Sequence, residues 1–222
     1  PTKLDSPLVC LGFGIEKYEK NPLPDPKDKV TSIGDNIFGL KIAGYAPGFD
    51  RYGKKNDGLI KEACALADKA EVSLVYLGLD EVTEAEGLDR GDIKIPQAQI
   101  DLVDALAKKG KKIVVVLSCG SAVELPFADK VDAIVHAYLG GQAIAEAVLD
   151  VIVGKVNPSG KLAESYPYEY KDCSSASHFP GKQRSVEYRE GMFVGYRRRA
   201  RALSVRLRPV VYDVRIFRSR RG

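Results

Sequence analysis

The sequence predicts an α/β protein, a three-layer α/β/α sandwich built on a mostly parallel sheet. Short apolar runs alternate with helical segments of about 12 residues, as in βαβ units. The runs VSLVYLG and KIVVVLS are nearly continuous in apolar residues, which is typical of strands buried on both faces of a sheet. Right-handed crossovers between such strands place helices on both faces.

The first elements follow from local signals in residue order. Residues 1–35 are rich in Pro, Asp and Lys, and we expect them to be an irregular part of the sandwich domain. A strand is predicted at 36–46, ending before Pro47-Gly48. Asp57 can cap a helix over 57–70, where apolar residues recur at helical spacing. The buried strand at 72–78 comes next.

The alternation continues to residue 166, so the sandwich domain is predicted to span 36–196. Proline is tolerated in the first turn of a helix, so Pro96 marks a helix that runs to about residue 109. The later predicted elements are a strand at 112–118, a short helix at 125–130, a strand at 132–137, a helix at 142–153 and a short strand at 162–166.

The last 26 residues, 197–222, form an arginine-rich tail. They contain ten Arg, no Lys and one acid, whereas residues 1–196 contain 20 Lys, four Arg and 29 acids. We interpret the abrupt change from Lys to Arg as a shift of reading frame or a disordered tail. The alternatives are a solvated irregular tail and a nucleic-acid arm, since clustered cations bind phosphates; we expect no nucleic-acid partner.

Composition argues against several other classes of protein. The four cysteines are more than 50 residues apart and there are two histidines, so neither a metal site nor any other cofactor is predicted. Such isolated cysteines favour a reducing, cytoplasmic compartment. No apolar run reaches 18 residues and the start lacks the layout of a signal peptide, so no membrane association is expected.

The loop at 79–95 carries the chemistry predicted from the sequence. Ligands of open α/β sheets meet loops at the carboxyl ends of strands, and 79–95 is the longest and most acidic such loop. A carboxyl crowded by other carboxyls tends to hold its proton, which suits a general acid. Asp89 beside Arg90 predicts an ion pair within the loop. A solvated acidic surface loop is the alternative.

Several motifs give the chain a resemblance to a known family. They are AEGLDR at 85–90 followed by Pro96-Gln97, IVVVLSCGSAVELPF at 113–127, AYLGGQ at 137–142, LDVIVGKVNPSGKL at 149–162, VEYREGMFVGYR at 186–197 and PTKLDSP at 1–7. In order and spacing they resemble the second domain of family-three glycoside hydrolases of the β-glucosidase type.

The resemblance implies a function for one carboxyl group. It implies that Glu86 is the acid/base of a retaining β-glucosidase, with Glu84 as the nearest rival, and that an upstream barrel domain supplies an Asp nucleophile. It also implies that the usual first strand of the sheet lies before Pro1, leaving the sheet incomplete at the N-terminus. The expected partners are a β-glucoside or oligosaccharide and that barrel; self-association into a homo-oligomer is a further one. One carboxyl cannot perform both steps, so the isolated chain is expected to be inactive or nearly so.

The sequence has features of two other classes of function. A nucleotide-binding module is poorly supported, because Gly12-Phe13-Gly14 is followed by Lys17 where GxGxxG needs glycine. A non-catalytic carbohydrate-binding or interaction domain remains the alternative function. Its aromatic platform would come from loop residues, for which the candidates are Tyr45, Phe49, Tyr52 and Tyr138.

Overall fold

The protein forms a parallel sheet flanked by helices. The structure, a computed structural model, describes residues 4–11, 40–50, 52–179, 181, 184–185 and 187–197. In chain order, the elements are β1 (Leu4–Leu11), β2 (Leu40–Ala46), α1 (Asp57–Ala67), β3 (Val72–Gly78), α2 (Gln97–Ala107), β4 (Lys112–Ser118), β5 (Ala133–His136) and α3 (Ile144–Ile152), followed by 3₁₀ turns at Tyr170–Asp172 and Gly195–Arg197.

The five strands have the order β2-β1-β3-β4-β5, and every neighbouring pair is parallel. β3 and β4 are in register along their full length, so Gly78 lies opposite Ser118. β4 continues this alignment into β5, where Leu117 lies opposite His136. The chain therefore leaves β3, β4 and β5 at the same carboxyl edge.

Two apolar layers on opposite faces of the sheet confirm the three-layer sandwich. Alternate strand residues such as Val75 and Val115 face α1 and α2, where they join the larger core. Their neighbours Leu74 and Val114 face the other side and pack with α3. Because successive side chains of a strand point to opposite faces, a strand covered on both faces must be apolar throughout.

The prediction that residues 1–35 are irregular is wrong for Leu4–Leu11. This segment is β1, and it pairs with both β2 and β3. The pairing of β1 with β2 shifts register between Leu4 and Pro7 and again between Leu8 and Val9. Proline has no N–H to donate to a ladder, so a strand containing Pro7 carries an irregularity and a weak sequence signal.

The remaining differences from the predicted elements are local. Asn56 caps α1 instead of Asp57, its side chain accepting from the N–H groups of Gly58 and Leu59. Residues 126–130 form turns, not a helix, and 162–166 contain a single bridge residue, Tyr166, in place of a strand. Of the predicted tail, residues 198–222 lie outside the described residues. Within the described ranges, no helix has the length and apolar character needed to cross a bilayer.

Candidate active site

Three loops meet at the carboxyl edge of the sheet. They are 79–95 after β3, 119–124 after β4 and 137–143 after β5. In parallel α/β sheets this edge is where ligands bind. A backbone contact joins the first two loops, because Glu124 N donates to Ile93 O (2.7 Å). The start of the first loop also bonds the end of β4, where Leu79 N donates to Ser118 O (3.3 Å).

Glu86 lies at the outer corner of a tight turn. Leu88 N donates to Ala85 O (3.3 Å), which closes the turn, and Gly87 has a φ of 78°. A third turn position with positive φ favours glycine, so the local turn explains why Gly87 follows Glu86. The Glu86 side chain is exposed, and within the described part of the chain no hydrogen bond or ion pair involves it. The carboxyl group is therefore presented to the solvent at the sheet edge.

Glu84 is held by the loop that follows β4. Its Oε2 accepts from Gly120 N (2.8 Å) and its Oε1 accepts from Ser121 Oγ (3.4 Å). Its backbone N–H donates to Asp80 O (2.9 Å), in a turn where Asp80 Oδ1 also accepts from Thr83 N (2.8 Å). Glu84 is thus committed to protein donors two residues before the exposed Glu86.

Arg90 makes its ion pair with Glu84, and the predicted pair with Asp89 does not form among the described contacts. Arg90 Nη1 lies 3.9 Å from Glu84 Oε1, and the side chains are 14% and 20% exposed. The same Nη1 donates to Ser121 Oγ (2.8 Å) and Ala122 O (3.5 Å). The two nitrogens Nε and Nη2 are buried and have no partner within the described ranges.

A polar cluster lies behind these loops. His136 Nδ1 accepts from Tyr138 N (3.1 Å), the Tyr138 ring stacks on the imidazole with centroids 3.7 Å apart, and Tyr166 Oη hydrogen-bonds His136 Nε2. Burial lowers the pKa of His136 to about 4 and raises that of Tyr166. Burial also raises the pKa of the Cys119 thiol to about 12. These neutral groups favour a supporting role over acid/base chemistry near pH 7.

Two of the four aromatic residues predicted to form a sugar-binding platform are used within the protein itself. Phe49 is buried in the core, and Tyr138 stacks on His136 while its hydroxyl accepts from Ala163 N (3.1 Å). An open cavity of about 410 Å³ instead borders the loop at Leu88 and Arg90, with Tyr170 and Phe179 in its lining. Tyr170 and Phe179 come after α3 in the chain, and no pattern in the sequence indicated that they return to the loop.

The arrangement of donors does not form a metal centre within the residues that the structure describes. Across those ranges there is no group of three or more His, Cys, Asp or Glu side chains able to hold an ion. Cys64 and Cys119 are free thiols. The edge offers the exposed carboxyl of Glu86, the anchored carboxylate of Glu84 and an adjoining cavity.

The fold and the site define an α/β sandwich domain whose longest loop at the carboxyl edge of the sheet presents a carboxyl group. The model of the glycosyl hydrolase family 3 C-terminal domain matches residues 9–196. The chain therefore belongs to glycosyl hydrolase family 3, whose C-terminal domain it contains. The resemblance drawn from the motifs is confirmed by this match.

Relatives and solved structures agree with the family. The chain is 48% identical over 208 residues to the thermostable beta-glucosidase B of Acetivibrio thermocellus, covering 89% of the chain and 27% of that protein. It is 42% identical to an exo-alpha-(1->6)-L-arabinopyranosidase of Bifidobacterium breve, covering 76% and 23%. The crystal structure of the Bifidobacterium adolescentis GH3 beta-glucosidase matches with a TM-score of 0.71 and 36% identity, over 88% of the chain and 30% of that structure. The chain spans about a quarter of these curated relatives.

Proposed function

We propose that the chain is the part of a retaining β-glucosidase that carries the acid/base, and that Glu86 is this residue. The observation that carries the proposal is the contrast between the two rival carboxyls. Glu84 lines the cavity but is bound by Gly120, Ser121 and Arg90. Glu86 has an exposed side chain, in the turn between the cavity-lining residues Ala85 and Leu88. A proton donor needs a free carboxyl that can approach a substrate oxygen.

The chemistry requires a second carboxyl from elsewhere. In a retaining glycosidase one carboxylate attacks the anomeric carbon while an acid about 5 Å away protonates the leaving oxygen. The same residue, now ionised, then takes a proton from water as the glycosyl–enzyme bond is hydrolysed. We propose that Glu86 performs both proton transfers and that an Asp on a barrel domain of the same polypeptide is the nucleophile. The isolated chain would then have little or no hydrolytic activity.

The sugar is proposed to be a β-linked glucoside or a short oligosaccharide. The names of the relatives include both beta-glucosidases and arabinopyranosidases, so the same domain type accompanies different sugar preferences. This supports separate roles for the two domains, in which the sandwich supplies the proton donor and the barrel selects the sugar. A homo-oligomer and a cytoplasmic location are further parts of the proposal; the free thiols at Cys64 and Cys119 support the cytoplasmic location.

A non-catalytic sugar-binding domain is the second candidate function. The cavity beside Leu88, with Tyr170 and Phe179 in its lining, favours it because aromatic rings and concave sites bind sugars without chemistry. It predicts binding of oligosaccharide by the chain alone. It also predicts that Glu86→Gln leaves hydrolysis by the complete polypeptide unchanged.

The kinetics of Glu86 variants test the two functions. The complete polypeptide is compared with its Glu86→Ala and Glu86→Gln variants on β-glucosides with poor and good leaving groups. Loss of the acid should lower kcat/KM by about 10²–10⁴-fold for cellobiose, and far less for a dinitrophenyl glucoside, which leaves without a proton. The control is Glu71→Ala, an exposed carboxyl at the opposite edge of the sheet. Unchanged rates on cellobiose for both Glu86 variants would refute the assignment.

A further inference from the structure

We infer that Glu84 is a positioning residue, which together with Arg90 and Ser121 clamps the loop tip at residues 85–89 and so holds Glu86 in place. This inference rests on the proposed function of Glu86, because it states how that carboxyl is positioned. Glu84 also lines the cavity, and the role inferred for it is to hold Glu86 rather than to transfer a proton.

The residues of the clamp flank the loop tip at both of its ends. Glu84 comes immediately before the five tip residues and Arg90 immediately after them, and the two side chains lie 3.9 Å apart. Both reach the same short segment after β4, since Glu84 accepts from Gly120 N and Arg90 donates to Ser121 Oγ and Ala122 O. The tip is therefore a small loop whose two ends are both bonded to the segment 119–122.

The segment 119–122 is in turn held by a second carboxylate, that of Glu164. Ala122 N donates to Glu164 Oε1 (2.8 Å), and Cys119, just after β4, is fully buried in the core. The segment 119–122 thus continues a central strand of the sheet and is tied down on its far side. A loop fastened to it has a defined position relative to the sheet.

The close contact at Gly120 fits the same purpose. A Cβ atom at this position would lie 3.2 Å from Glu84 Oε1 and 3.4 Å from Glu84 Cδ, tighter than ordinary packing. Glycine thus allows the carboxylate to approach the backbone N–H to 2.8 Å. A larger residue would press on the carboxylate and move the start of the tip.

Ser121 links the two charged groups. Its hydroxyl accepts from Arg90 Nη1 (2.8 Å) and donates to Glu84 Oε1 (3.4 Å). Both charged side chains are largely shielded from water, so the pair is less screened than a surface ion pair and loss of one member leaves the other uncompensated. The charge on Glu84 is thus balanced by Arg90 through a fixed bridge.

The consequence of losing the clamp is a misplaced acid with an intact nucleophile. A displacement of about 1 Å in a reacting group can lower a rate by about 10²-fold, even when the change lies outside the reacting atoms. Only the steps that use the proton of Glu86 should suffer. This selectivity separates a positioning role from a general loss of folding.

The test compares leaving groups in the complete polypeptide. For Glu84→Ala we expect kcat/KM to fall about 10–100-fold on cellobiose and to stay within about threefold of wild type on a dinitrophenyl glucoside. Glu84→Gln keeps an oxygen that accepts from Gly120 N, so it should recover a large part of the lost rate. Glu71→Ala is the control. An equal fall on both substrates, or no fall on either, would overturn the positioning role.

A second measurement does not depend on activity. Gly120 is exposed, and its N–H has the Glu84 carboxylate as partner, so hydrogen exchange at Gly120 should accelerate about tenfold in Glu84→Ala. Exchange in β3 and β4 should stay as in wild type. Ser121→Ala offers a milder variant should Glu84→Ala fold poorly, with a smaller effect in the same direction on cellobiose. Unchanged exchange at Gly120 would refute the clamp.

The outcomes separate this inference from the proposed function. If Glu86→Ala retains full activity on cellobiose, the acid/base assignment fails, whatever the exchange at Gly120 shows. If Glu86→Ala is crippled while Glu84→Ala matches wild type on both substrates, the acid/base assignment stands and the clamp is wrong.

Discussion

The side-chain amide of Gln99 pairs with the peptide groups of Gly78 as a neighbouring strand would. Gly78 N donates to Gln99 Oε1 (3.0 Å), and Gln99 Nε2 donates to Gly78 O (2.8 Å). Gln99 is 2% exposed although it is polar. Through this pair, α2 holds the last residue of β3, the point from which the acidic loop departs.

Replacing Gln99 should destabilise the fold strongly. Gln99→Leu leaves a buried N–H and a buried carbonyl of Gly78 without these partners, and we expect a loss of about 2–4 kcal/mol in the free energy of unfolding. Urea denaturation of the chain measures it. Gln97→Leu is the control, because Gln97 lies on the same helix, is exposed and bonds only Asp101 among the described contacts. Equal stability of the two variants would contradict the role given to Gln99.

Gly48 is predicted to resist substitution because of both its backbone and its surroundings. It has a φ of 77°, and a Cβ there would lie 2.6 Å from Leu102 Cδ2 in the core. Gly48→Ala should lower the free energy of unfolding by about 2–3 kcal/mol. Gly110 has a similar φ of 64° with open space around it, so Gly110→Ala isolates the backbone effect and should cost about 1 kcal/mol. A matching loss in both variants would mean that the contact with Leu102 is relieved by repacking.

His136 should make the fold less stable in mild acid. Its folded pKa is lowered from 6.5 to about 4 by burial, so the unfolded chain binds a proton at a higher pH than the folded one. Stability from this group is complete above pH 6.5 and is lost as the pH falls from about 6.5 towards 4. Solvent still reaches part of the ring, and the loss should be of the order of 1 kcal/mol.

Unfolding free energies at pH 7 and pH 4.5 measure this effect. His136→Gln should show a smaller loss between the two pH values than wild type, because the titrating group is gone. His178→Gln is the control at the second histidine, which is exposed, and should behave as wild type. If the stability of His136→Gln depended on pH as strongly as that of wild type, His136 would not be the source of the acid sensitivity.

Cys119 should be unreactive in the folded protein. It is fully buried and its pKa is raised to about 12, so almost no thiolate is present at pH 8. Iodoacetamide labelling followed by mass spectrometry should modify the half-buried Cys173 at least tenfold faster than Cys119. In urea the two should react at similar rates. Early modification of Cys119 under native conditions would show that the segment after β4 opens readily.

The strands of the sheet centre could be predicted from the sequence because both of their faces are covered. β3 and β4 have the bounds predicted for them, since continuous apolar runs end where Gly78 and Ser118 enter loops. β1 was missed because Asp5, Ser6 and Pro7 break its apolar pattern, although it pairs with strands on both sides. Its place in the sheet depends on tertiary pairing rather than on local propensity.

The sequence indicated which loop carries the candidate site, but it did not indicate the contacts that this loop makes. The acidic composition and the family resemblance both indicated 79–95, and the family match confirms the resemblance. The contact of Glu84 with Gly120 joins residues 36 positions apart, and no periodic pattern encodes it. The neighbouring Asp89 was therefore a more obvious partner for Arg90 than Glu84. Proximity in the sequence favoured the pair Asp89–Arg90, whereas the fold brings Arg90 to Glu84.

The measurement that most directly tests the central claim is azide rescue of Glu86→Ala in the complete polypeptide. With a dinitrophenyl β-glucoside the variant should accumulate glycosyl–enzyme, because no base activates water for its hydrolysis. Azide needs no base, so it should raise kcat by about 10–100-fold and yield β-glucosyl azide. Wild type and Glu84→Ala, which both retain the Glu86 carboxyl, should form none. Failure of azide to accelerate Glu86→Ala, with no glucosyl azide formed, would contradict Glu86 as the acid/base.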